Sequence, residues 1–393
     1  MTMKDCIYCG KSKENDEFTL EHIIPQSIGG AYAPDELKTR DVCKDCNSNL
    51  GLFVDASFEK NHLVSNMLHL TARTFFDPAN PTSLPLCCYG YSELVPPGMT
   101  DTEACEVWLG PFGESVYWVR PRDERMHAYA GGNPRTAKRD GSRAYFCFCE
   151  ASTKNLDLVL LSFQDAFESR KAKKKKRKVK KISCTAVEGF DLANVGFSTP
   201  DDLDRERISY FLQQKRDNQL VHGQITINAY FDHRFMSKLA LGLSHVLFDG
   251  EVRNSKYSQE LRKGLWSRPN DPTPAVRGIS TFSDTNQFLK QHLGVDYGVT
   301  VSVCPVDKKV GVILNIGREL AFAVMCAELE ELCAAHISQL GQGFSLVLLD
   351  PLQKSVKLTV PELIAHNLGT VKHSELSQIE KLADERMNYF RSL

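Results

Sequence analysis

The chain has 393 residues, 42% of them apolar and 25% charged, values that exclude wholesale disorder and a fibrous or collagen-like protein and point to more than one folded domain. A net charge of −1 means that any affinity for polyanions has to come from a local patch and not from the molecule as a whole. Export and membrane spanning are not expected, because no apolar h-region follows Lys4 and no stretch approaches 18 uninterrupted apolar residues; the odd, scattered set of 13 cysteines fits a reducing cytoplasm.

In chain order the first signal is Cys6-Ile7-Tyr8-Cys9, answered after residues 10–42 by Cys43-Lys44-Asp45-Cys46. Four thiolates in two CxxC knuckles can close tetrahedrally on a structural Zn2+, a contribution of about 10 kcal/mol to the folding of a small module. Between the knuckles, Phe18 to Ile24 alternates apolar and polar residues and ends at Pro25 and the Gly29-Gly30 pair, which predicts a strand; Lys38 to Val42 is the expected return strand. From Cys43 or Asn47 onward, Leu50, Phe53, Val54, Phe58, Leu63 and Met67 follow helical spacing, although Gly51 weakens the first turn. The expected unit is a β-hairpin leading into a helix.

These residues resemble the HNH endonuclease superfamily with its ββα-metal site, in the subgroup that combines CxxC, EHIIPxSxGG and CxxCNxxLG. The resemblance covers about residues 4–60. It implies His22 as general base, with Glu21 and Asn47 as ligands of a catalytic Mg2+ or Mn2+, and Asn49 and Asp55 as weaker ligand candidates. The chemistry suits those residue types. Imidazole titrates near neutrality and can take a proton from water, and a hard divalent cation on oxygen ligands stabilises a phosphorane. Adjacent strand residues face opposite sides, so Glu21 and His22 share one site only if the strand bends there. Lys38 stands where the family name has its middle Asn, nine positions before Asn47, which puts full activity in question.

Beyond residue 75 the apolar runs Cys105 to Leu109, Ser115 to Val119, Ala144 to Cys149 and Leu156 to Phe163 read as strands. Residues 170–181 carry ten basic side chains in twelve, without which the net charge would be −11. In this solvated loop Lys173, Lys174, Lys175, Lys176, Arg177 and Lys178 are candidate phosphate contacts, with sequence-independent, salt-sensitive affinity. After residue 200 come a helix from Asp202 to Leu212, a strand from Gln224 to Tyr230, a helix from Phe235 to Phe248, hairpins at 297–316 and 345–360, and a closing helix from Glu375 to Arg391 behind Ser374. The cysteines outside the knuckles read as small core residues, and His222, Asp232 and His233 as capping or surface residues.

The expected fold is α+β, an N-terminal ββα-metal HNH module followed by a mixed α/β region of one or two domains. The expected divisions are 1–75, a strand-rich 76–200 and an α/β 201–393. The leading functional expectation is a cytoplasmic, metal-dependent endonuclease acting on nucleic acid, DNA favoured, in the manner of a restriction or antiviral defence effector, with room for a partner protein or an oligomer. The alternatives are a zinc-stabilised nucleic-acid-binding or scaffold protein with a degenerate HNH site, and an effector gated by a small ligand.

Overall fold

The computed structural model describes residues 3–136, 141–167, 179–217, 221–268, 270–272, 274–275, 278–281 and 286–391. It is a mixed α and β fold. The chain begins with two short hairpins, β1 (Met3–Asp5) with β2 (Ser12–Glu14) and β3 (Phe18–His22) with β4 (Lys38–Cys43). The helical spacing that follows is realised in pieces. Helix α1 (Lys44–Leu50) runs into a π-helical turn at Gly51–Asp55, then α2 (Ala56–Glu59), and α3 (His62–Thr74) restarts with Asn61 as its cap, accepting from Leu63 N–H at 3.0 Å. The π turn begins at Gly51, the poor helix former in this segment.

Next comes a six-stranded sheet built from β5 (Cys87–Ser92), β6 (Glu103–Leu109), β7 (Ser115–Pro121), β8 (Arg143–Cys147), β9 (Lys180–Ser183) and, later in the chain, the two-residue β10 (Gly223–Gln224), in the order β10-β5-β6-β7-β8-β9. The strands are antiparallel except β8 with β9, which are parallel because α4 (Glu150–Lys154) and α5 (Leu156–Phe167) lie between them in sequence. The expected strand at Leu156 to Phe163 is thus a helix. Its apolar run is buried at Leu158, Val159, Leu160, Phe163 and Phe167, and such continuous burial carries no period that separates a core helix from a core strand. Helix α6 (Asp202–Arg216) opens with a capping box, Asp201 accepting from Asp204 N–H at 2.9 Å.

The expected strand from Gln224 to Tyr230 is cut short at Gln224, because Asn228 caps a long helix, α7 (Ala229–Leu247), and accepts from Tyr230 N–H. Then follow α8 (Lys256–Trp266), β11 (Gly278–Ile279), α9 (Asn286–Leu293), β12 (Val299–Val306), β13 (Lys309–Ile316), β14 (Leu320–Glu328), α10 (Ala334–Leu340), β15 (Phe344–Leu349), β16 (Lys354–Thr359), α11 (Val360–Asn367) and α12 (Ser374–Arg391). Strands β11 to β16 form an antiparallel sheet in the order β11-β14-β13-β12-β15-β16, and both expected hairpins are present in it.

Two compact units result, one from Met1–Glu59 with Asn228–Glu385, the other from Lys60–Ile227 with Arg386–Leu393. This grouping differs from three consecutive segments. The first hairpins and α1 fold with α7, α8 and the second sheet in one unit. Phe58 stacks on Phe235 of α7 with ring centroids 3.9 Å apart. In the other unit the first sheet packs on α5 through Trp118, Phe146, Phe163 and Phe167.

Candidate functional site

The knuckles meet. The first is a tight turn in which Gly10 N–H donates to Cys6 O at 2.8 Å, and the second is the joint where β4 passes into α1. The sulfurs of Cys6, Cys9, Cys43 and Cys46 all lie within 4.8 Å of one another. Cys43 N–H points at Cys6 Sγ from 3.5 Å, and hydrogen bonding from Cys46 draws the Cys6 thiol well below its ordinary value while Cys46 is pushed up. A cluster in which one sulfur already favours the thiolate, with a backbone donor turned toward it, fits tetrahedral zinc of the closed, structural kind.

Strand β3 pairs Phe18 with Cys43, Thr19 with Val42, Glu21 with Thr39 and His22 with Lys38, and the register slips between Thr19 and Glu21. The ladder resumes at Glu21, so Glu21 and His22 keep the alternation of an ordinary strand and turn to opposite sides. His22 is half-buried. Its Nε2 lies 3.5 Å from Gln26 Nε2, and Lys38, its cross-strand partner, bonds Asp35 Oδ1 at 2.6 Å. Burial and, after it, the Lys38 charge lower the His22 pKa, with Asp35 pulling the other way. An imidazole held neutral in this way can accept a proton.

Glu21 is 4% exposed and already paired. Its Oε1 lies 2.9 Å from Lys238 Nζ, which also reaches Asp55 Oδ2 at 2.6 Å, while Tyr8 Oη donates to Glu21 Oε1 at 3.4 Å. Burial raises the pKa of both carboxyls against the opposing pull of Lys238; burial acts to lower that of Lys238, but the two carboxylates outweigh it. Asn47 ties α1 to β3, its Nδ2 donating to Thr19 Oγ1 at 2.7 Å and Leu20 O at 2.9 Å, which leaves its Oδ1 as the atom able to bind a cation. Asn49 is exposed. Among the described residues, Glu21 belongs to no group of three His, Cys, Asp or Glu side chains whose ligand atoms converge. The ammonium of Lys238 stands between Glu21 and Asp55 as their shared cation, so a Mg2+ or Mn2+ does not fit at Glu21 unless Lys238 leaves.

The paired glycines shape the loop behind this strand. Gly29 sits at φ +90, and a Cβ on Gly30 would fall 1.8 Å from Ile24 O, so neither position accepts a side chain at low cost. Lys238 and Tyr8 are the residues that sequence reasoning missed. No local pattern announces Lys238, since its partner Asp55 is 183 positions away. Lys173, Lys174, Lys175, Lys176, Arg177 and Lys178 lie outside the described residues. Asp232, expected as a capping or surface residue, is buried in the first turn of α7, where Asn228 does the capping. Most cysteines outside the knuckles are buried or half-buried as expected, but Cys333 is exposed. Among the described residues no helix is long and apolar enough to cross a membrane.

No curated protein matches the chain, and no solved structure does. Residues 6–63, which span both knuckles, the β3–β4 hairpin and α1, match the family model described as HNH endonuclease, and this part of the chain is an HNH module.

Proposed function

We propose that the protein is a nuclease in which His22 acts as general base on a water attacking a phosphodiester of nucleic acid. The observation that carries this reading is the HNH match over a hairpin that leaves His22 half-buried and biased to the neutral form beside a lysine. In this reading His22 accepts the water proton, Lys38 supplies positive charge beside the scissile phosphate, and Asn47 fixes the helix against the strand that carries the base. The knuckles hold the hairpin through a zinc ion. Dependence on Mg2+ or Mn2+ through Glu21 and Asn47 rests on the family resemblance and requires that Lys238 release Glu21. Phosphate contact through Lys173 to Lys178 is supported by the basic sequence run, a cytoplasmic setting by the scattered cysteines, and a preference for DNA with a role in restriction or antiviral defence by analogy alone.

The test incubates the full chain with plasmid, linear duplex, single-stranded DNA and RNA, in Mg2+, Mn2+ or EDTA, beside His22→Ala. Cleavage by the wild type and its loss in His22→Ala are expected; cleavage that survives the substitution would sink the assignment of the base. One observation favours a second reading: with Glu21 held by Lys238, the module serves as a zinc-stabilised nucleic-acid-binding scaffold. Salt-sensitive binding without cleavage of any substrate in any metal would support it.

A further inference from the structure

A second cluster of metal-ligating side chains lies outside residues 6–63, and the local backbone builds it. Cys333 is the residue before α10, with extended backbone, and His336 is the third residue of that helix, positions whose side chains ordinarily meet at a helix start. Here they bring Cys333 Sγ to 3.3 Å from His336 Nδ1. The third member comes from the turn after α7. Asp249 and Gly250 both adopt positive φ, 45° and 73°, with Glu251 N–H donating to Phe248 O at 2.7 Å. This tight reversal sets Glu251 Oε2 2.6 Å from His336 Nδ1, and both Glu251 oxygens accept from Cys333 N–H at 3.0 and 3.1 Å. Asp249 Oδ2 lies on the other side of the ring, 3.6 Å from His336 Nε2, and Phe248 packs edge-on against the imidazole with centroids 5.9 Å apart.

We propose that Glu251, Cys333 and His336 form a second metal site, suited to zinc or another borderline-soft divalent cation. One thiolate, one imidazole nitrogen and one carboxylate oxygen, all within 4.8 Å of one another, match the mixed donor set that zinc accepts and that magnesium and calcium do not. Nδ1 is the ligating nitrogen because Glu251 and Cys333 both converge on it, and the Asp249 carboxylate lies 3.6 Å from Nε2, on the side where a partner orients a metal-bound histidine. Three protein ligands on a surface where Cys333 and Glu251 are exposed leave a fourth position open to water or an outside ligand, unlike the four-thiolate cage of the knuckles. Binding converts the Cys333 thiol to thiolate with release of its proton to solvent, and His336 gives up the Nδ1 proton that faces Glu251 while Nε2 keeps or takes one.

The test uses the full chain carrying one equivalent of Zn2+ in the cage and titrates Co2+ against it. The expected result is a second equivalent of metal with a near-ultraviolet thiolate-to-cobalt band. Cys333→Ser should lose the band, His336→Gln should lose the second equivalent, and Asp249→Asn should weaken it roughly tenfold. Circular dichroism and the zinc held in the cage report folding of each variant. A wild type that binds no more than one equivalent at micromolar metal, leaving Glu251 and His336 as an ion pair only, would overturn the proposal. So would a thiolate band that persists in Cys333→Ser.

Discussion

Two residues show how placement, more than identity, sets chemistry in this chain. His22 is lowered first by burial and then by Lys38, its cross-strand neighbour, so removing that charge has a definite sign. Lys38→Gln should raise the His22 pKa. If His22 is the base, the acid limb of a cleavage pH profile moves to higher pH, whereas a limb that stays in place would separate the base from His22. Asp232 supplies the second case. Burial pushes its carboxyl from 3.8 up to about 7, and its Oδ1 has no hydrogen-bond partner among the described residues. A value raised on folding means that the native state holds the proton more tightly, so stability is lost as pH rises from about 4 to about 7 and the full penalty stands above that window. Asp232→Asn should therefore stabilise the protein by about 2–4 kcal/mol at pH 8 and by little at pH 4. Equal effects at both pH values in urea unfolding would contradict this.

At the scale of elements, β3, β4 and α1 were legible because their signals are local: alternation between Phe18 and Ile24, a return strand beginning at Lys38, and knuckles that fix both ends. What escaped is carried by α7. Its periodicity announces a helix, but nothing within it says that Lys238 reaches Glu21 and Asp55, that His245 Nε2 meets Asp41 Oδ2 at 2.6 Å, or that Gly242 makes room for Ile23 and Tyr8. The motif announces Glu21 as a residue type, while its environment is set by a helix more than 180 positions downstream. Two carboxylates around one ammonium also make a testable unit. Lys238→Ala leaves the buried Glu21 and the half-buried Asp55 without a cation and should cost about 3–5 kcal/mol. Adding Glu21→Gln and Asp55→Asn to Lys238→Met should recover most of that loss, because no charge then remains unpaired. If Mg2+ or Mn2+ raises the melting temperature of Lys238→Met but not of the wild type, Glu21 and Asp55 accept a divalent ion once the ammonium is gone. No rise in either protein would count against a catalytic metal at Glu21.

For the molecule as a whole, the discontinuous unit is the feature that sequence reading by consecutive segments could not reach. Composition shifts mark where the texture of the chain changes, not where it returns, and residues 1–59 group with residues 228–385 in one compact unit. That return makes the four-cysteine cluster a concern of the entire unit. The carbonyls inside the first knuckle are held from α8, Arg262 Nε donating to Ile7 O at 3.0 Å and Trp266 Nε1 donating to Tyr8 O at 2.9 Å. Loss of the ion should let Cys6 to Cys9 relax, and both bonds to α8 should fail with it. Of the three tryptophans, Trp266 alone belongs to this unit, while Trp118 sits in the core of the other and Trp108 packs against that core. A strong chelator should accordingly change a fluorescence signal that Trp266→Phe abolishes, lower the unfolding midpoint of the unit containing the knuckles, and speed hydrogen exchange in α7 and α8. The six-stranded sheet of the other unit should keep its protection, since its Trp118, Phe146 and Phe163 core contains no knuckle residue. Chelation that strips the zinc yet leaves Trp266 and α8 unchanged would mean that the cage folds only its own hairpins.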